Sequence, residues 1–397
     1  MDSTIVRLKA KQDRRARSGH PWVFSNEIDG DVAALPSGGI VDLTTVNGKF
    51  IGRGYSNPKS LITVRILSRN RSVDLDNPQF YVGRLTHALK LRERLYPGRT
   101  AYRLVNAESD GLPGLIIDRF NDVLCVQITT LGMDKLKHHI ETALKEVLNP
   151  IGAVFRNDSP MRALEGLEQE KGIWFGDVPD TVDIEEFGVK FKVHLLGGQK
   201  TGHFFDQADN RHFAGKLCDG AEMLDVYSNS GGWGLHALHH GAKRVIFVDK
   251  QEACCEQIEA NVELNGFTER SVILCDEGKK TLEALLTQGM RFDAVNLDPP
   301  AFAKQRRAAT SALKGYQEIN RLGLLLVKPG GYFFSSSCSY HVHEDRFLEA
   351  IQKAAAEAGR SLRMIRRGEQ SADHPTRPEV PETRYLKSYA FQVMPEW

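Results

Sequence analysis

The sequence predicts an α/β fold, a Rossmann-like and mostly parallel seven-stranded sheet, preceded by a small β module and a middle α+β segment. Two observations carry this expectation. Beyond Phe187, short apolar runs alternate with helical stretches, the rhythm of a doubly wound sheet with helices on both faces. Before about residue 70 the runs are short, β-rich and separated by Gly, Pro and Asn turns. A chain of 397 residues has room for two or three domains, and the expected division is 1–74, 75–186 and 187–397.

Composition narrows the function classes. Hydrophobic residues make up 41% and charged residues 26%, as in an ordinary soluble domain. A formal net charge of +1 gives no global attraction to nucleic acid, so any such attraction must come from local patches. No run approaches the roughly 20 apolar residues of a membrane span, and Met1 to Arg17 lacks the apolar core of a signal peptide. A cytoplasmic protein with no membrane partner is expected. The six cysteines contain no C-x-x-C pair, which gives neither a zinc site nor a disulfide framework, and no metal is expected.

In the β module the expected strands are Thr4–Leu8, Ile40–Thr44, Phe50–Tyr55 and Leu61–Leu67. Arg7, Lys9, Lys11, Arg14, Arg15 and Arg17 cluster beside Trp22 and Phe24. Cations beside rings suit RNA, whose phosphates and bases they meet, and equally suit a solvated charge run beside a core tryptophan. The middle segment reads as a helix from Asn77 to Leu95, a hairpin of Arg103–Val105 with Leu115–Phe120, a strand at Val123–Thr129, a helix from Asp134 to Leu148 and a returning strand at Ala153–Arg156. The main sheet is expected from Met223–Tyr227, Arg244–Val248, Val272–Cys275, Phe292–Leu297 and Tyr332–Ser336, completed by Leu362–Arg366 and Tyr385–Val393. Its helices include Gln251–Asn265, Lys279–Gln288 and a stretch from Leu322 closed by Pro329-Gly330-Gly331.

Four carboxylates, Asp225, Asp249, Asp276 and Asp298, stand at four successive strand ends, where open parallel sheets bind ligands. Tyr227, Ser228 and Gly231 follow the first strand and lead into a helix, so the backbone can approach a ligand there. Asp249 and the adjoining Lys250 suit ribose hydroxyls. Gly232-Trp233-Gly234-Leu235-His236-Ala237 also satisfies the dinucleotide pattern, which makes an NAD-dependent oxidoreductase a rival. An acid at the first strand tip suits S-adenosylmethionine (SAM), whose sulfonium is cationic and which has no pyrophosphate. Lys200, Thr201, Asp206, Gln207 and Arg211 lie in a polar and aromatic segment expected to close over the cofactor.

Asp298 and Cys338 end neighbouring strands, and both are expected to be catalytic. C5 of a pyrimidine is too weak a nucleophile to take a methyl group until a thiolate adds at C6, and covalent catalysis splits that step. Alone, a cysteine in an apolar strand is more often a structural thiol. Pro299, Pro300 and Phe302 supply a rigid wall for a base, and Lys304, Arg306 and Arg307 a basic loop for RNA phosphates. The rivals are an exocyclic-amine methyltransferase, which would use Asp298-Pro299-Pro300 and leave Cys338 idle, and a non-catalytic RNA-binding module.

Gly19-His20-Pro21-Trp22-Val23-Phe24, Glu108-Ser109-Asp110-Gly111-Leu112-Pro113-Gly114, Lys200-Thr201-Gly202, Asp206-Gln207, Asp298-Pro299-Pro300, Ser337-Cys338-Ser339 and Pro381-Glu382-Thr383-Arg384-Tyr385-Leu386-Lys387 together resemble the bacterial 23S rRNA 5-methylcytosine methyltransferase family with an N-terminal PUA domain. The resemblance covers almost the whole chain. It implies a PUA domain for RNA binding, a middle α+β domain, a class I SAM-dependent methyltransferase domain and Cys338 as nucleophile. RNA, 23S rRNA in particular, is the implied partner, and a homodimer is a further expectation. Many RNA cytosine-C5 methyltransferases place a second cysteine beside the aspartate. Pro299-Pro300 stands there instead, and the group that removes the C5 proton has no residue assigned.

Overall fold

The computed structural model describes residues 4–197, 201–303 and 305–395. They form two compact units. The first comprises residues 1–184, 193–205 and 372–383, and the second residues 185–192, 206–371 and 384–397.

The first unit holds two sheets. Six strands run in the order Trp22–Phe24, Ile62–Ser68, Phe50–Ser56, Ile40–Thr44, Thr4–Leu8 and Ile28–Asp29. Val6, Leu8, Val23, Val41, Leu43 and Val64 fill their core. Five further strands run in the order Glu170–Gly176, Gly152–Asn157, Val123–Ile128, Leu115–Phe120 and Ala101–Asn106. The helix Pro78–Leu95 begins where Pro78 fixes the first turn and the Asn77 side chain accepts from the Gln79 amide at 2.9 Å. The expected helix from Asp134 to Leu148 is two pieces, Leu131–Lys135 and Lys137–Leu148. The returning segment 372–383 is tied in by Asp373, whose carboxylate accepts from the Arg103 amide and whose carbonyl accepts from buried Arg92.

The second unit is the doubly wound sheet. Its strands are β1 (Glu222–Val226), β2 (Arg244–Asp249), β3 (Ser271–Cys275), β4 (Phe292–Leu297), β5 (Val327–Ser337), β6 (Leu362–Gly368) and β7 (Lys387–Val393), in the order β3-β2-β1-β4-β5-β7-β6. β7 alone is antiparallel to its neighbours. Between the strands lie α1 (Ala208–Gly215), α2 (Gly232–His239), α3 (Glu252–Leu264), α4 (Gly278–Thr287), α5 (Ala309–Leu326) and α6 (Glu344–Glu357), α1 preceding β1. Leu224, Val226, Val295, Leu297, Phe333 and Phe391 anchor the core, alternate strands' apolar residues meeting helices as a buried parallel sheet requires.

One expectation is corrected here. The helix before β5 stops at Leu326, not at Pro329, and β5 starts at Val327. Phe292 pairs with Val327 and Ala294 with Tyr332, so Pro329-Gly330-Gly331 is an irregularity inside the strand. Proline and glycine mark a bulge as readily as a helix end, and only the pairing distinguishes them.

Candidate active site

Strand order reverses between β1 and β4, and the site is built at that switch point. Asp225 ends in the core with no exposure, its two carboxylate oxygens accepting from the Asn296 side chain at 2.8 Å and the Gly234 amide at 3.1 Å. Burial pushes this acid up to about 6, against the pull of those hydrogen bonds. Asp225 therefore ties β1 to β4 and to the first turn of α2. The loop between them is strained: Tyr227 and Asn229 have φ of 66° and 53°, and Gly231 82°. Non-glycine residues in this region persist only where surrounding contacts impose them. Here the Tyr227 and Ser228 amides both donate to the Val248 carbonyl, and the Asn229 amide donates to Asp249 at 3.0 Å.

Asp249, at the tip of β2, also accepts from the Gln251 amide at 3.0 Å. Its carboxylate retains lone pairs for further donors. Lys250 is exposed in the following turn. Asp276 lies just past β3, partly exposed, with Lys280 holding its acid below the usual range. Acceptors at two neighbouring strand tips beside a left-handed loop fit a nucleoside with free ribose hydroxyls. The glycines of the dinucleotide pattern do something else. A Cβ on Gly234 would lie 2.2 Å from Phe247, and one on Gly232 2.7 Å from Arg211, so both serve close packing of α2 rather than a pyrophosphate.

The segment entering α1 closes the other side. Asp206 accepts from the Tyr385 hydroxyl at 2.6 Å, and its carbonyl accepts from Ser371. Gln207 donates to Asp298 at 3.0 Å, and the Trp233 indole donates to the same oxygen at 3.1 Å. Burial raises Asp298 to about 6, those two donors opposing the rise and the nearby Asp206 adding to it. Arg211 is buried and pairs with Glu186 at 2.8 Å, while the other Glu186 oxygen meets His236 Nε2 at 3.0 Å. Glu186→Ala would leave a buried guanidinium without this carboxylate. The expected loss is about 3–5 kcal/mol in urea unfolding, with Glu186→Gln losing less.

Cys338 follows β5, partly exposed, on a frame of satisfied hydroxyls. Ser335 donates to Asn320, Ser336 to Ser388, and Ser337 to the Tyr316 hydroxyl, which also meets Ser339 at 2.9 Å. What reads as a small-residue run is a rigid polar ladder pinned to α5 and β7. Leu297 is in register with Ser335, so Asp298 leaves β4 opposite Ser336 and close to the tip that bears Cys338. Ser337 is in register with Lys387, a buried lysine whose ammonium donates to the Ser339 carbonyl at 2.7 Å. Burial lowers Lys387 to about 8, with Cys338 and Glu344 pulling it back up. Lys387, Trp233 and Asn296 carry the site without having been singled out in sequence. A lysine opening the largely aromatic and apolar run of β7 was the available signal.

The remaining expected residues are placed as follows. Thr201 belongs to the first unit and donates to Asp118, while Lys200 and Lys304 fall outside the described residues. Pro299 is buried, Pro300 exposed, and Phe302 stacks on Tyr316 at 4.6 Å. Arg306 begins the short turn Arg306–Ala308, and Arg307 is exposed. In the first unit Arg14 and Arg17 are exposed, Arg17 beside Asp13 at 3.3 Å. Arg15 pairs with Glu27 and covers Phe24, and Trp22 donates to Glu108 at 2.9 Å.

A sheet of this order with its seventh strand reversed, and a strained loop rather than a phosphate-cradling turn after β1, belongs to a class I SAM-dependent methyltransferase. Residues 6–69 match the PUA-like domain family, and residues 202–330 match the family described as conserved hypothetical protein 95. Ribosomal RNA large subunit methyltransferase I of Vibrio vulnificus is 38% identical over 400 residues, 99% of this chain and all of its own length. The protein of that name from Vibrio cholerae is 38% identical over 401 residues, again 99% of this chain and 100% of its own. A Streptococcus mutans protein, assigned in its structure's name as a candidate SAM-dependent methyltransferase, superimposes with a TM-score of 0.82 at 18% identity, over 98% of this chain and 100% of that one. The chain belongs to the ribosomal RNA large subunit methyltransferase I family. It is a SAM-dependent methyltransferase, and the oxidoreductase reading is set aside.

Proposed function

We propose that the protein methylates C5 of a cytosine in the RNA of the large ribosomal subunit, 23S rRNA, with Cys338 as the nucleophile that adds to C6. The observation that carries this reading is a thiol at the tip of β5 with Asp298 leaving the adjacent strand and the Lys387 ammonium on the other side. SAM supplies the methyl group. Tyr227, Ser228, Gly231, Asp249, Lys250 and Asp276 would hold its nucleoside, and Asp206, Gln207 and Arg211 brace the opposite wall. Lys387 favours the thiolate, because a neighbouring cation stabilises the charged form. Asp298, an acid raised to about 6, meets the base edge and can lend a proton to N3 as the thiolate adds at C6. Pro299 and Pro300 stiffen the loop beside the base, and the backbone of the RNA meets Arg306, Arg307 and, in the PUA-like segment, Arg14 and Arg17.

The names of the relatives support an rRNA substrate. The functional division at 74 and 186 assigns RNA binding to the first segment and chemistry to the last. No helix among the described residues is long and apolar enough to cross a membrane, and the cytoplasm, where ribosomes are assembled, is the proposed location. Bisulfite sequencing of 23S rRNA from cells with and without the protein tests the reading: one protected cytosine that becomes convertible on deletion is expected, and an unchanged pattern contradicts it.

Lys387→Met should slow iodoacetamide labelling of Cys338 about tenfold at pH 7 and move its pH profile upward, since removing the ammonium disfavours the thiolate. Lys387→Arg should restore part of the rate. Peptide mass spectrometry of labelled protein reads both.

A further inference from the structure

Three histidines stand together away from the strand tips. His212 is on α1, His236 on α2, and His240 directly follows α2, four residues after His236 and so on the same side of the helix. One nitrogen of each ring lies within 4.8 Å of one nitrogen of each other. His212 Nδ1 and His240 Nε2 are 3.5 Å apart, long for a hydrogen bond. Two nitrogens bound at about 2.0–2.1 Å to one tetrahedral ion stand about 3.4 Å apart.

His236 supplies the second, independent observation. It is fully buried, its Nε2 is held by Glu186 at 3.0 Å, and its Nδ1 is buried with no hydrogen-bond partner. A carboxylate on one ring nitrogen fixes the proton there and leaves the other as a bare lone pair, the arrangement found behind metal-bound histidines. Packing alone gives no reason to bury that lone pair. The approach of the helices is built in as well: a Cβ on Gly215 would lie 2.7 Å from the His236 carbonyl and 2.8 Å from His240. Phe187 stacks on His212 at 4.2 Å and holds its ring.

We propose that His212, His236 and His240 bind one divalent ion of the zinc class, with a fourth position left to water. Metal binds the neutral imidazole, and binding releases any proton a ring still carries. Glu186 supplies balancing negative charge, while Lys216 and Arg211 oppose the ion. The ion would tie α1 to α2. α1 follows Asp206 and Gln207, and α2 follows the strained loop, so this clasp braces two sides of the cofactor cleft without entering the chemistry.

The test uses the full chain without an affinity tag, stripped with chelator and titrated with Co2+ alone, followed by Zn2+. One Co2+ per chain is expected, seen as visible absorption more intense than that of the hydrated ion and abolished by an equivalent of Zn2+. His212→Gln and His240→Gln alter partly exposed rings, and each should lose the absorption and the Zn2+-induced rise in Tm. Replacing His138 and His139, which form a group with Asp76 on the first unit, should leave both unchanged. No uptake by the wild-type chain at micromolar Co2+, or uptake undiminished in both Gln variants, would overturn the proposal.

Discussion

Cys338→Ser is expected to keep the fold and to lower methyl transfer to rRNA by about 10³-fold or more. The exchange is nearly isosteric at a partly exposed position, and the neighbouring hydroxyls of Ser337 and Ser339 remain fastened to Tyr316. Stability should therefore change by less than about 1 kcal/mol, as for surface substitutions. The chemistry changes much more. A thiol is a few per cent ionised at pH 7 and is favoured further by the Lys387 ammonium, whereas a serine hydroxyl stays protonated and needs a base. Transfer of labelled methyl groups from SAM to rRNA, read beside a thermal melt, separates lost chemistry from lost structure. An exocyclic-amine enzyme would leave the serine variant at full rate.

Asp298→Ala should cost about 10²-fold or more in kcat/KM. Its carboxyl group is set by Gln207 and Trp233 on one oxygen and raised to about 6 by burial. An acid with its pKa raised from 3.8 to about 6 stays protonated to higher pH than an ordinary aspartate and loses its proton as pH passes through about 6. Its power to protonate the base fades over that interval, so the wild-type rate should carry a limb there that Asp298→Asn lacks. The sign for stability follows. Between about 4 and 6 the folded chain binds more protons at Asp298 than the unfolded chain, so this group's contribution turns unfavourable as pH rises through that window. The asparagine variant should gain relative to wild type between pH 4 and 7 by on the order of 2 kcal/mol in denaturant titrations.

Much of this was legible in the amino-acid order, and the remainder shares one cause. The strands whose tips carry Asp225, Asp249, Asp298 and Cys338 announce themselves because apolar runs and helical stretches are local signals. Helices at Glu252–Leu264 and Gly278–Thr287 likewise fall within a residue of their periodicity. Partnerships across the sheet do not announce themselves. Lys387 meets the residues around Cys338 only through the antiparallel register of β7, and Glu186 reaches Arg211 and His236 across 25 and 50 residues. That Asp225 also binds the Asn296 side chain and the Gly234 amide, and so ties β1 to β4 and α2, has no local signature either. The bend of 372–383 back into the first unit has no periodic signature at all, since scattered hydrogen bonds, among them those from Arg92, Arg103, Asn106 and Arg377, define it.

The covalent step can be observed directly. RNA spanning the target cytosine and carrying 5-fluorocytosine there allows the thiolate to add at C6 and C5 to take the methyl group, but fluorine cannot leave as the C5 proton does, so the adduct persists. Incubation with SAM, nuclease digestion and peptide mass spectrometry should find the modified nucleotide on Cys338 of the wild-type chain and on no residue of Cys338→Ser. Full methylation of the unfluorinated RNA with no adduct on Cys338, or an adduct on another cysteine, would contradict the account.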